Sequence, residues 1–268
     1  MSEEAAAHPT AGVPPAGSGM RPHHLLRRSS LFLVPLLAVY LFAVFIPLPQ
    51  ILLLRWRPPA TTAFIRARQA KFRKEGKKDT IDRRPVPLSA VSPAMIAAVL
   101  AAEDARFFSH HGIDWQAVRE AREWNRKIEG KKGRWRRGAS TLTQQLAKNL
   151  WLSPERSWLR KGREAACALA LEALLPKERI LEHYLSAIEL GERVFGVEAA
   201  ARTNFGVPAS RLDAAQAAWL AAMIPSPSYY LRHPSRHQAR AALIARRVAG
   251  HDAPEQPPDE DEEAGSPR

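Results

Sequence analysis

The apolar positions of the chain follow two different patterns. Residues 31–54, LFLVPLLAVYLFAVFIPLPQILLL, carry no charge over 24 positions. About 20 apolar residues cross a bilayer core, so this run predicts a transmembrane anchor. Pro35 is tolerable near its start, and Pro47 and Pro49 kink or end it. A cleaved signal peptide would end in small residues, and LLLRWRPP has none. From residue 89 onward the apolar positions recur at helical spacing, and no alternating stretch stands out. Ser92 and Pro93 open a helix in cap and first-position order, predicted to continue until just before Gly112. Residues 119–137 read as a charged helix followed by a loop at EGKKGRWRRG. A helix opens at GASTLTQQLAKNL, with Thr141 and Gln144 placed for a capping box and Leu142, Leu146 and Leu150 as its buried stripe. SPER predicts the next start, with Ser153 as cap and Pro154 in the first turn. Pro176 ends that helix and opens another, closed by Gly191. A further helix over SRLDAAQAAWLAAMIP stops at Pro225, and the last is capped by Ser235 and closed by Gly250.

One residue breaks the pattern. In VLAAEDARFFSHHGID, helical steps put Ile96, Val99 or Leu100, Glu103 and Phe107 on one face. Glu103 therefore lies in the stripe that should face the core. A carboxylate there is costly unless it is paired or protonated, which marks it as a candidate functional group.

Charge adds a second feature. The 268 residues carry a formal net charge of +13, unevenly spread. Residues 55–84 hold eleven Lys/Arg against three acids, and residues 119–137 hold nine against three. The tail DAPEQPPDEDEEAGSPR is acidic and Pro-rich and the first twenty residues are rich in Ala, Pro and Gly, so both ends are expected to be disordered. The basic blocks call for an anionic partner: nucleic acid, lipid head groups or a phosphorylated substrate. In TAFIRARQAKFRKEGKK, Phe64, Arg68 and Phe72 share a face, which suits a basic helix at the lipid surface or a short solvated one. The single cysteine, Cys167, forms no internal disulfide and reads as a small buried apolar residue. His110 and His111 lack metal-ligand spacing with other His or Cys and read as helix-end packing. Trp115, Trp151, Trp158 and Trp219 read as core.

The stretch TLTQQLAKNLWLSPERSWLRKGREAA supplies candidate chemistry. Thr141, Gln145 and Lys148 are predicted to line the polar face opposite the Leu stripe, with Arg156, Lys161 and Glu164 following. Lys161 and Arg160 stand three and four residues before Glu164, placing Glu164 to pair along its own helix; taken alone, that is a surface ion pair of modest worth. Together with Glu103, however, two carboxylates and three cations suit glycosyl transfer from a phosphate-activated sugar. One carboxylate takes a proton from the attacking hydroxyl, and the cations stabilise the departing diphosphate.

EDARFFSHHGID, RGASTLTQQLAKN, RSWLRKGREA, KERILEHYL and FGVEAAARTNFG, in that order over about residues 89–230, resemble the successive motifs of the peptidoglycan glycosyltransferases. Nothing like a transpeptidase domain follows, so the likeness is to the monofunctional, membrane-anchored members. It implies an all-α, lysozyme-like helical domain with a small membrane-proximal jaw and one N-terminal transmembrane helix. It also implies a division into a tail (1–30), an anchor (31–54), a basic membrane-proximal segment (55–88), a glycosyltransferase domain (89–250) and an acidic tail (251–268). The implied reaction transfers the lipid-linked glycan to the 4-hydroxyl of the GlcNAc of lipid II, with Glu103 as general base. Glu164 falls on the family's second glutamate, which orients the site or a divalent ion. Lys148, Arg156 and Lys161 match donor-diphosphate contacts, and Ser140, Thr141, Gln144 and Gln145 match the motif shaping the donor site. Arg136 and Arg137 lie on the loop over it. Asp104 stands beside the base, with a helix-structural role equally open. Ser186 replaces the family's Asn, which removes an amide from the support of the ELGERVFGVE loop.

No tightly bound cofactor is implied; Mg²⁺ or Mn²⁺ at Glu164 is the one candidate. The partners implied are lipid II, the lipid-linked glycan, membrane lipids and other cell-wall synthesis proteins, with no nucleic acid. The location implied is the inner membrane, single-pass, with the domain on the periplasmic side. The counter-readings are a lysozyme-like enzyme that cuts glycan, an inactive envelope scaffold, and a tethered nucleic-acid-binding protein. The last lacks a recognisable module.

Overall fold

Pro93 at a first helical turn, with Ser92 Oγ accepting from Met95 N at 3.1 Å, starts the helix that carries Glu103, as the sequence predicts. The computed structural model describes residues 46–129, 137–152 and 157–250. The predicted disordered ends, residues 31–45 of the predicted anchor, and Arg136, Ser153, Pro154 and Arg156 lie outside the described residues. Among the described residues no helix is long and apolar enough to cross a membrane.

The helices in chain order are α1 (Leu48–Leu53), α2 (Ala63–Lys74), α3 (Pro93–Glu103), α4 (Trp115–Lys127), α5 (Leu142–Trp151), α6 (Trp158–Leu174), α7 (Lys177–Ala187), α8 (Val197–Phe205), α9 (Ala214–Met223), α10 (Pro227–Arg232) and α11 (Pro234–Val248). Most follow their punctuation. Thr141 and Gln144 form the expected capping box on α5, and Asp213 and Gln216 form another on α9. Pro176 separates α6 from α7. The cap of α6 is Ser157, whose side chain accepts from Arg160 N. The N-cap of α11 is His233, two positions before the expected Ser235. α7 ends at Ala187, four residues before Gly191, because the chain there turns into a strand.

The core forms where alanine-rich α9 packs between α3 and α11, and where α5 packs on α6 and α7. Leu142, Leu146 and Leu150 are buried as the stripe predicts, each contributing about 1.5–3 kcal/mol. Cys167 is fully buried among them, and burial pushes its thiol up. Trp219 is half-buried against Phe205 and His237, and Trp151 donates to Gln50 Oε1 at 2.6 Å. The other two tryptophans depart from expectation. Trp115 is 64% exposed and Trp158 93%. Each is the first residue of its helix, one turn or more before that helix's first buried residue.

The fold is not purely helical. β1 (Asp82–Arg83) pairs in parallel with β3 (Val194–Phe195), and β2 (Glu189–Gly191) pairs antiparallel with β3, with an irregularity between Glu189 and Gly191. This sheet ties the basic segment to the helical domain. Arg68 reaches Glu189 at 2.6 Å, Phe64 meets Phe195 edge-on at 6.2 Å, and Phe72 is buried. The face read as suited to a lipid surface or to solvent thus makes contacts with protein. The end of the long apolar run is likewise part of this unit. Ile51 and Leu54 are buried, and the Leu54 carbonyl accepts from Arg179 Nε at 2.8 Å and His183 Nε2 at 2.7 Å. Burial holds His183 below its ordinary value, which favours the neutral imidazole.

Ser186 serves the loop after α7 through its backbone: its carbonyl accepts from Arg83 Nε at 2.8 Å. Gly196 passes against the same carbonyl with φ +80 and ψ 155, and an added Cβ would lie 3.0 Å from Ser186 O. That conformation is almost confined to glycine. Gly196→Ala is expected to cost about 1–3 kcal/mol from the backbone alone, read as a lower urea midpoint; an unchanged midpoint would contradict it.

Candidate active site

Glu103 is the last residue of α3, and its side chain is only 10% exposed. Its Oε2 accepts from Gln145 Nε2 of α5 at 3.0 Å and its Oε1 from Arg240 of α11 at 3.1 Å. The Gln145 carbonyl oxygen in turn accepts from the buried Tyr184 hydroxyl of α7 at 3.0 Å, which fixes the amide's orientation. Burial raises Glu103 above the ordinary carboxylate value, against the opposing charge of Arg240 and the hydrogen bond from Gln145. Burial, with the neighbouring carboxylates Glu103 and Asp104, also pushes the Tyr184 phenol well up, so it stays a donor. The pattern's misfit is therefore a carboxylate withdrawn from water yet held by two donors, with its proton affinity raised.

α3 stops at Glu103 rather than near Gly112, because Asp104 leaves the helix for better partners. A carboxylate at the negative end of its own helix is unfavourable, while one at the start of another is favoured. Asp104 Oδ2 accepts from Leu142 N, the first residue of α5, at 2.9 Å. Both Asp104 oxygens lie 3.0–3.1 Å from His110 Nε2, which places Nε2 to donate to the carboxylate. His110 is buried here and has the packing role read from the sequence. Thr141 Oγ1 donates to Gly112 O at 2.6 Å. Asp104, Thr141 and Gln144 thus build the start of α5, and Gln145 one turn on reaches Glu103.

The second carboxylate is not the surface pair that local spacing suggests. Glu164 is 2% exposed, with Oε2 accepting from Arg160 at 2.9 Å and Oε1 from Lys161. Lys161 also donates to Ser140 Oγ at 3.0 Å. Both carboxylates therefore connect to the start of α5, Glu103 through Gln145 and Glu164 through Lys161 and Ser140. Lys148 is half-buried one helical turn beyond Gln145. The Arg137 guanidinium covers Trp124 at 5.4 Å, and Asn125 holds its backbone N and O. Among the described residues no group of three His, Cys, Asp or Glu side chains is placed to hold a metal.

Arg240 and Tyr184 are the site residues that motif and spacing reasoning missed. Arg240 lies 137 positions from its carboxylate, on a helix read only by its ends. The one available signal was the basic stretch RHQARAALIARR among apolar residues. Because its charge opposes the effect of burial, Arg240→Met is expected to move Glu103 titration to higher pH, followed by carboxyl ¹³C NMR. An unmoved titration would remove Arg240 from the control of this group.

The Transglycosylase family profile matches residues 69–249 of the chain. The biosynthetic peptidoglycan transglycosylase of Rhodospirillum centenum is 49% identical over 199 residues, covering 73% of this chain and 81% of that protein. That of Bordetella avium is 39% identical over 231 residues, 85% of this chain and 96% of its own. That of Neisseria meningitidis serogroup C is 42% identical over 199 residues, covering 74% and 84%.

Proposed function

The chain belongs to the transglycosylase family and is a glycosyltransferase, and we propose that it polymerises lipid II into peptidoglycan strands on a lysozyme-like helical scaffold. Glu103 is the general base. It takes the proton of the acceptor 4-hydroxyl as that oxygen bonds to C1 of the donor sugar. The bond from C1 to the phosphate oxygen breaks with inversion, and the lipid diphosphate departs with the electron pair. The observation supporting this reading is the environment of Glu103: burial raises its proton affinity toward the range useful to a base, while Gln145 and Arg240 hold its two oxygens.

Lys148 and Lys161 face the diphosphate, joined in this reading by Arg156. Glu164 places Lys161 by pairing with it, and Ser140 supports the same ammonium. Cations set in advance where charge collects act without reorganising during the reaction. A divalent ion would meet a poor donor set at Glu164, since Arg160 and Lys161 occupy both oxygens and such ions take several oxygen ligands.

The uncharged run before residue 46 anchors the enzyme in the inner membrane, with the helical domain on the periplasmic side, where the lipid-linked donor, its acceptor and other cell-wall synthesis proteins meet it. The deciding experiment incubates purified full chain with lipid II and, separately, with finished glycan. Polymer growth with release of the lipid diphosphate is the expected result. Fragment release from finished glycan with no growth would replace this reading with a hydrolase, and inertness toward both would replace it with a scaffold.

A further inference from the structure

α4 makes only sparse contacts with the other described elements. Along it runs a cleft of about 730 Å³ whose walls include Val118, Ala121, Arg119, Arg122, Arg126 and Arg137. Glu123 and Glu129 also line it and leave the arginines in excess. Arg119, Arg122 and Arg126 are exposed, stand at i, i+3 and i+7 on one side of the helix, and form no ion pair among the described residues. None of these groups touches Glu103 or Glu164.

We propose that the cleft is a docking site for the chain's own acidic C-terminal segment, residues 251–268. Three observations support that occupant. The first is charge: the segment carries Asp252, Glu255 and the unbroken run Asp259, Glu260, Asp261, Glu262 and Glu263, against Arg268 alone. The second is fit. Arg119 to Arg126 spans about 10 Å of helix at 1.5 Å per residue, and the five-acid run covers about 13 Å when extended. Carboxylates accept guanidinium donors well, often two bonds at a time. The third is reach. The described chain ends at Gly250, and the five-acid run begins 9 and ends 13 residues later, which extends to about 30–45 Å, while a unit of this size has a radius of gyration of about 17 Å. The tether is therefore long relative to the domain it would dock on. Because the arginines are exposed, the attraction is screened by salt.

This inference is independent of the transferase reading, since its test needs no substrate. In the full chain, Val118→Cys in the cleft is combined with Ala264→Cys in the tail, and disulfide formation is followed with oxidised glutathione as the oxidant. A second chain combines Ala215→Cys, exposed at the start of α9, with the same tail cysteine. Native Cys167 is fully buried and remains in place. The expected result is intrachain cross-linking at least about tenfold faster for the cleft pair at low salt. That advantage should vanish in 1 M NaCl and when the five acids at 259–263 become Asn and Gln. Equal rates for the two pairs would overturn the proposal, and so would an advantage that survives neutralisation of the tail. Absence of the cross-link, together with inorganic pyrophosphate shielding the cysteine at 118 from alkylation, would assign the cleft to an external phosphate ligand and equally overturn it.

Discussion

Replacing Glu103 by Gln is expected to lower lipid II polymerisation by about 10²–10⁴-fold, the range lost with a positioned general base, while the domain stays folded. The amide keeps the shape of the carboxyl group and still offers an oxygen to Gln145 or Arg240; what it cannot do is take the hydroxyl proton. Stability supplies an independent readout. Burial raises Glu103 above its ordinary value of 4.5. A group raised in this way contributes stability that is present below the ordinary value and lost as pH climbs through the raised one. The parent should therefore lose stability over that window, and the Gln variant, which cannot ionise there, should not. Relative to the parent, the variant gains stability in urea unfolding as pH rises above the ordinary value of 4.5. The parent's rate should rise over the same window as the base form accumulates, so activity and stability respond to pH in opposite directions. A variant retaining near-parental turnover would end the assignment of Glu103 as base. A stability gap that is flat with pH would show that the carboxyl is not held above its ordinary value.

What the sequence made legible was local in origin. The caps at Ser92 and Thr141, the Leu stripe of α5 and the pairing of Arg160 and Lys161 with Glu164 all depend on residues within four positions of each other. The inward placement of Glu103 also followed from helical period alone. What stayed hidden depends on distant segments. Strands of two or three residues have no period to detect, so the sheet joining the basic segment to the domain was missed. The burial of Glu164 depends on how α6 packs with α5, and Arg240 reaches Glu103 across 137 positions. The extension of α3 toward Gly112 failed for the same reason. Helix propensity does not register that the start of α5 supplies an amide for Asp104. The tryptophan error was of another kind, since period alone does not show which side of a first turn remains uncovered.

Asp104→Ala is expected to remove about 2–4 kcal/mol of stability. The substitution leaves two buried donors, Leu142 N and His110 Nε2, without the acceptor they share, and each buried unsatisfied group costs about 1–3 kcal/mol. For a domain of this length that corresponds to a fall in Tm of about 5–15 °C. Asp104→Asn keeps one acceptor oxygen and should fall between Ala and the parent. The same pair of variants separates the two roles left open for this residue. Asp104 joins the end of α3 to the start of α5, and the Glu103–Gln145 contact bridges the same two helices, so loosening the joint should lower kcat alongside stability, with Asn again intermediate and KM for lipid II little changed. A direct contact with substrate would instead raise KM while leaving the urea midpoint where it was. The engagement of both carboxylate oxygens inside the protein favours the joint, and an Ala variant that unfolds at the parental urea concentration would refute it.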